Sequence, residues 1–138
     1  TLKGDALTNA MIAERAGIEI ARVTTGDQIE ASIFDASTII DCLLGTGARG
    51  PLRGLYAESV TASNASTALR VAIDIPTGLD CDSGEAGEPA FRADHTITFV
   101  ARKTGFDKKN ADAYVGEVHE VGIGVPKKLL DELPLGQP

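Results

Sequence analysis

Apolar residues fall into two kinds of run along this chain, one spaced as on a helix and one nearly continuous, and the two kinds alternate. Ala6, Leu7, Ala10, Met11 and Ala13 recur at helical spacing and predict a helix over residues 5–16, with Gly17 capping its end. Residues 18–23 predict a short strand. Thr25-Gly26-Asp27 then opens a weak helix through Phe34. Ile39-Ile40-Asp41-Cys42-Leu43-Leu44 is a continuous apolar run of the kind buried on both faces of a parallel sheet. A helix is predicted over residues 52–66, and a second apolar strand, Val71-Ala72-Ile73-Asp74-Ile75, follows it. After a loop over 82–92 rich in Gly, Glu and Pro come strands at 94–100 and 115–123 and a short amphipathic segment at 127–133. Strands that alternate with helices imply an α/β fold with a mostly parallel sheet and ligands at the carboxyl ends of its strands.

Composition narrows the class. A chain of 138 residues with 43% hydrophobic content suits one folded domain, placed here at residues 1–133 with 134–138 as a tail or linker. A formal net charge of −7 argues against a nucleic-acid partner, since phosphate backbones are held by clustered Lys and Arg. No apolar run approaches the roughly 20 residues that span a bilayer, and no signal peptide is recognised, so a cytoplasmic protein away from membranes is expected. Cys42 and Cys81 offer neither a disulfide framework nor a metal spacing.

Candidate chemistry concentrates at two strand ends. The first strand runs into Gly45, Thr46, Gly47, Ala48, Arg49, Gly50 and Pro51, a loop whose glycines let backbone N–H groups approach an anionic ligand, with the positive end of the next helix behind it. The second strand ends in Asp74-Ile75-Pro76-Thr77-Gly78-Leu79-Asp80, so two loops are expected to face one crevice. There is no GxxxxGK[ST] phosphate loop, which makes a kinase-like enzyme remote.

These two motifs, with Arg53-Gly54 behind the first, Arg92-Ala93-Asp94-His95-Thr96-Ile97-Thr98-Phe99 and Lys103-Thr104-Gly105, together resemble the NAD(P)H-hydrate epimerases, also called the YjeF N-terminal domain. The resemblance runs from Lys3 to Gly124 and preserves the order and spacing of four motifs. It implies a Rossmann-like three-layer fold and an enzyme that interconverts the R and S forms of hydrated NADH and NADPH. An ADP- or ATP-dependent NAD(P)H-hydrate dehydratase is the implied functional partner and a homodimer the implied assembly. It further implies that Asp41 and Thr77 help to hold a potassium ion, that residues Gly45 to Pro51 contact the substrate's phosphates, and that Asp74 contacts substrate. The family's earliest signature, an asparagine- and glycine-rich loop after its first strand, has no counterpart here. The chain is therefore expected to be truncated at its N-terminus, or completed by another chain, with the sheet's central strands missing.

Read for their own chemistry, the same residues leave alternatives. Epimerisation at a hydroxyl-bearing carbon needs a group that takes and returns a proton, and Asp74, which Ile73, Ile75 and Pro76 are expected to set in apolar surroundings, suits that work; otherwise it caps its loop. Asp41 and Thr77 offer the hard oxygens that hard cations prefer, while Asp41 equally suits a turn cap. Lys103 either places an ammonium near substrate or is a solvated surface lysine. Asp80-Cys81-Asp82-Ser83 reads as a polar turn, not a calcium loop. His95 and His119, far apart in the chain and without a metal-ligand spacing, read as structural histidines. A non-catalytic scaffold of the same fold is the competing function; the retained Asp41, Asp74 and glycine loop favour the enzyme.

Overall fold

The computed structural model describes residues 2–48 and 50–132. Its centre is a four-stranded, all-parallel sheet in the order β1 (Thr38–Asp41), β2 (Leu69–Ile73), β3 (His95–Phe99), β4 (Glu117–Val121). The strands are joined by α3 (Leu55–Ala65) and by a long loop, then two 3₁₀ turns and the one-turn helix α4 (Asp112–Val115). Helices α1 (Gly4–Arg15) and α2 (Gly26–Ile33) precede the sheet and α5 (Lys127–Glu132) follows it. The predicted α/β, Rossmann-like class holds. No helix among the described residues is long and apolar enough to cross a membrane.

Local chemistry explains most boundaries. α1 ends in a Schellman turn: Ile18 N–H donates to Ala13 O (3.0 Å) and Gly17 N–H to Glu14 O (3.0 Å), with Gly17 at φ 80, a conformation that glycine takes without penalty. α2 begins where Thr25 Oγ1 accepts Gln28 N–H (3.4 Å), while Gln28 Oε1 accepts Thr24 N–H (2.7 Å), a near-relative of the capping box. α3 starts at Leu55, later than the predicted 52, because Gly54 at φ 54 cannot lie inside a helix and leaves Leu52 free to pack on the core. Residues 18–23 form no strand: Ile18, Ile20 and Val23 are exposed and no neighbouring ladder receives them. The tail at 134–138 lies outside the described residues.

Alternation along the strands sorts the two faces of the sheet. One face carries Asp41, Ala72, Thr96 and Thr98, all buried. Val60 of α3, Ala72, Phe91 and Ala93 form one core cluster on it; Ile75, Leu79, Phe106, Ala111 and Val115 form a second beside the strand ends. Each fully buried Val, Ile, Leu or Phe side chain among these contributes about 1.5–3 kcal/mol. Thr96 satisfies its buried hydroxyl by donating to Val115 O (2.7 Å). The opposite face carries Ile40, Val71, Ile73, Ile97, Phe99 and Val121, none of them buried.

Candidate active site at the carboxyl ends of β1, β2 and β3

β1 ends at Asp41, which is 3% exposed and ties its own loop to the next one. Asp41 Oδ1 accepts Leu43 N–H (3.1 Å) and the Thr77 hydroxyl (2.7 Å), and Oδ2 accepts Thr77 N–H (2.7 Å). Thr77 Oγ1 in turn accepts Leu44 N–H (3.1 Å). The turn at Leu43 is what stops β1 short of the predicted apolar run. Asp41 is thus a turn cap and an inter-loop clasp together. A carboxylate offers about four lone-pair sites and a hydroxyl two, so three bonds to Asp41 leave a site on Oδ2 and another on Thr77 Oγ1. That donor set is all oxygen and fits a hard cation in type. Burial, and then the charge of Asp41, push the Cys42 thiol up from its ordinary value.

The two clasped loops border a cleft of ≈ 360 Å³, lined by Gly45, Ala48, Gly50 and Pro51 of the first and by Pro76 and Gly78 of the second. The two loops do face one crevice, as their order along the chain predicts. A Cβ added at Gly45 or Gly47 would meet open space, so these positions leave room for close approach to the backbone. Gly78 differs. At φ 93 its missing Cβ would lie 3.0 Å from Ala90 Cα and from Pro89 O, so the second loop closes against residues 89–90 only with glycine here. Arg49, expected among the phosphate contacts, lies outside the described residues.

Asp74 takes φ 68 at the end of β2, a left-handed conformation that aspartate tolerates better than most residues, and its N–H donates to Ile97 O (2.7 Å). Its surroundings are not the apolar ones expected from Ile73, Ile75 and Pro76, because Ile75 turns into the core while the carboxylate turns toward β3. There Lys103 Nζ lies 2.8 Å from Oδ1, and Thr98 Oγ1 and Phe99 N–H donate to the same oxygen at 3.4 Å. Oδ2 has no partner among the described residues. Lys103 is correspondingly not a solvated surface lysine: Nζ also donates to Phe99 O (3.0 Å) and Ala101 O (3.4 Å), which accounts for its three protons. Asp74 does not border the glycine-loop cleft, whereas Lys103 borders a neighbouring concavity of ≈ 240 Å³ with Phe99 to Thr104, Cys81 and Asp82.

Thr98 is the residue that sequence reasoning passed over. Ile73 pairs with Ile97, so the next register step sets Thr98 beside Asp74, and the alternation His95-Thr96-Ile97-Thr98-Phe99 turns both threonines to the buried face. The 80–83 segment is the polar turn predicted: Asp80 Oδ1 accepts Asp82 N–H (3.0 Å) and Ser83 N–H (2.8 Å). His95 and His119, expected to be far apart, are adjacent: the parallel register of β3 and β4 brings Nδ1 of one to 3.1 Å from Nε2 of the other.

The YjeF-related protein N-terminus family model matches residues 1–105. The chain belongs to this family. Among its relatives, the NAD(P)H-hydrate epimerase of Rhodopirellula baltica is 57% identical over 130 residues, covering 94% of this chain and 52% of the relative. That of Pirellula staleyi is 42% identical over 134 residues, covering 95% and 59%. The bifunctional NAD(P)H-hydrate repair enzyme Nnr of Archaeoglobus fulgidus is 48% identical over 94 residues, covering 68% of this chain and 20% of the relative. The chain spans about half the length of the epimerase relatives. Asp41, the glycine loop, Asp74 and Thr77 all fall inside the stretch that the YjeF family model matches.

Proposed function

We propose that the protein epimerises hydrated NADH and NADPH, interconverting the R and S forms so that an ADP- or ATP-dependent dehydratase can restore the cofactor. The observation that carries this reading is the Asp74 carboxylate, held on one oxygen by Lys103 and without a partner among the described residues on the other, at the strand ends of a YjeF-family chain that also carries a glycine loop at a neighbouring strand end. Inversion at a carbon that bears a hydroxyl needs a proton taken and given back. Asp74 Oδ2 is the atom suited to take the hydroxyl proton as the ring C–N bond opens to an aldehyde, the freed nitrogen taking that proton, and to reverse both transfers when the nitrogen closes on the other face of the aldehyde, with no net proton consumed. Lys103 has its three protons committed, so it is a positioning residue that aims Asp74 rather than a second acid. The glycine loop, Gly45 to Pro51, receives the phosphates through the backbone N–H groups that precede Pro51, with Arg49 supplying a positive charge. A potassium ion at Asp41 and Thr77 would offset phosphate charge and hold the two loops in register. We further place the protein in the cytoplasm as a homodimer.

The test supplies the R hydrate of NADH to an S-specific dehydratase in potassium buffer and follows NADH recovery with the protein added. Accelerated recovery is expected, with Asp74→Asn slower by about 10²–10⁴-fold, the range for loss of a general acid–base group. Lys103→Met is expected to lower kcat more than it raises KM. Wild-type rates in Asp74→Asn would remove that residue from the mechanism, and no acceleration either by this chain or by one extended at its N-terminus would overturn the epimerase reading in favour of a scaffold.

A further inference from the structure

On the sheet face away from the candidate active site, His95, Glu117 and His119 present three metal-ligating atoms within 4.8 Å of one another. His95 Nδ1 and His119 Nε2 are 3.1 Å apart. Glu117 Oε2 lies 3.7 Å from His95 Nδ1, and Glu117 Oε1 lies 3.7 Å from His119 Nε2. The register explains the convergence: His95 pairs with Glu117 and Ile97 with His119, so all three side chains leave the same face of two neighbouring strands. No role in the candidate active site touches them.

We propose that these three residues form a binding site for a divalent transition metal ion of the zinc class. Two imidazoles and one carboxylate make a donor set that suits zinc, cobalt or nickel and does not suit a hard monovalent cation. Bonds of about 2.0–2.1 Å at tetrahedral angles set ligand atoms about 3.3 Å apart, so separations of 3.1 and 3.7 Å reach that geometry with small side-chain rotations. The ring centroids are 5.3 Å apart and the ring planes are tilted by 32°, so the rings are not stacked face to face. Without metal, one ring N–H donates to the other ring's lone pair. With metal, each neutral imidazole carries its proton on the far nitrogen, and both near lone pairs face the ion. Three protein ligands leave at least one position for water, and the ion pins β4 to β3 at the edge of the described sheet.

The experiment strips the protein with a chelator, titrates it with Co²⁺ while recording visible absorption, and then displaces Co²⁺ with Zn²⁺ in a calorimeter. One equivalent of Co²⁺ is expected to give d–d bands, and Zn²⁺ to bleach them. His119→Ala is expected to abolish the bands, and Glu117→Gln to weaken binding by roughly tenfold or more, in variants whose circular dichroism matches the parent. Should His119→Ala alter the fold, His95→Gln serves as the second variant. Absence of the bands in the parent, or their persistence in the folded histidine variants, would overturn the site.

Discussion

Thr77 ties two loops together with one hydroxyl and one backbone N–H. Its hydroxyl donates to Asp41 Oδ1 and accepts from Leu44 N–H, and its own N–H donates to Asp41 Oδ2, all at 1% exposure. Thr77→Val keeps the volume and strips the hydroxyl, leaving Leu44 N–H and one carboxylate oxygen short of a partner. The expected cost is about 1–3 kcal/mol, the penalty for orphaned buried polar groups, read as a lower urea midpoint with an unchanged m-value. Thr77→Ser restores the bonds and most of the stability; a Val variant as stable as the parent would show that the clasp is energetically idle. The two partners were legible in the chain as motif residues, each at a strand end. Their bond was not, because 36 positions separate them and only the parallel pairing of β1 with β2 brings the loops together. Asp74 was legible in the same way and misjudged in its surroundings, since φ 68 swings its side chain out of the apolar line of its neighbours.

At the level of elements, β2 and β3 are tied at their beginnings as well as at their ends. Arg70 N–H donates to Asp94 Oδ2 (2.8 Å), its guanidinium reaches Oδ1 at 3.2 Å, and Asp94 N–H returns a bond to Arg70 O (2.8 Å). The hydrogen bonds from Arg70 side chain and backbone, led by the side chain, hold the Asp94 carboxyl below its ordinary value. A carboxyl with a lowered folded-state pKa adds stability at pH above its unfolded value and loses it as pH falls through the folded value. The window is therefore the acid one, below about pH 4. The Asp94 side chain is 41% exposed, so solvent screening limits the gain to at most about 1 kcal/mol. Urea unfolding at pH 7 and pH 3 is expected to show a smaller acid loss for Asp94→Asn than for the parent; equal losses would mean that other carboxyls carry the slope. The same register reasoning that places Asp94 against Arg70 also sets His95 beside His119, and neither contact is visible in spacing along the chain. Periodicity marked every strand of the sheet yet added one at 18–23, because an apolar alternation states which side chains seek burial and not whether a partner strand is there to receive the backbone.

For the molecule as a whole, the imbalance between the two faces of the sheet decides behaviour. Parallel sheets are ordinarily covered on both faces. Here one face packs against Val60 and Phe91, while Ile40 is 61% and Val121 42% exposed on the other. Leu7, Met11 and Ile12 of α1 are also exposed, and no residue of that helix is buried. β1 offers a second weakness, since its outer edge pairs with no strand among the described residues. The polypeptide of residues 1–138, prepared by itself, is accordingly expected to bind a hydrophobic dye such as ANS under native conditions and to exchange the β1 amides faster than those of β3, which is flanked on both sides. The order of exchange matters more than the dye alone, because any partly folded chain binds dye whereas only an intact sheet with a free β1 edge gives slow β3 and fast β1. A chain that ignores the dye, melts cooperatively and protects β1 as well as β3 would mean that α1 or a second copy closes that face in solution.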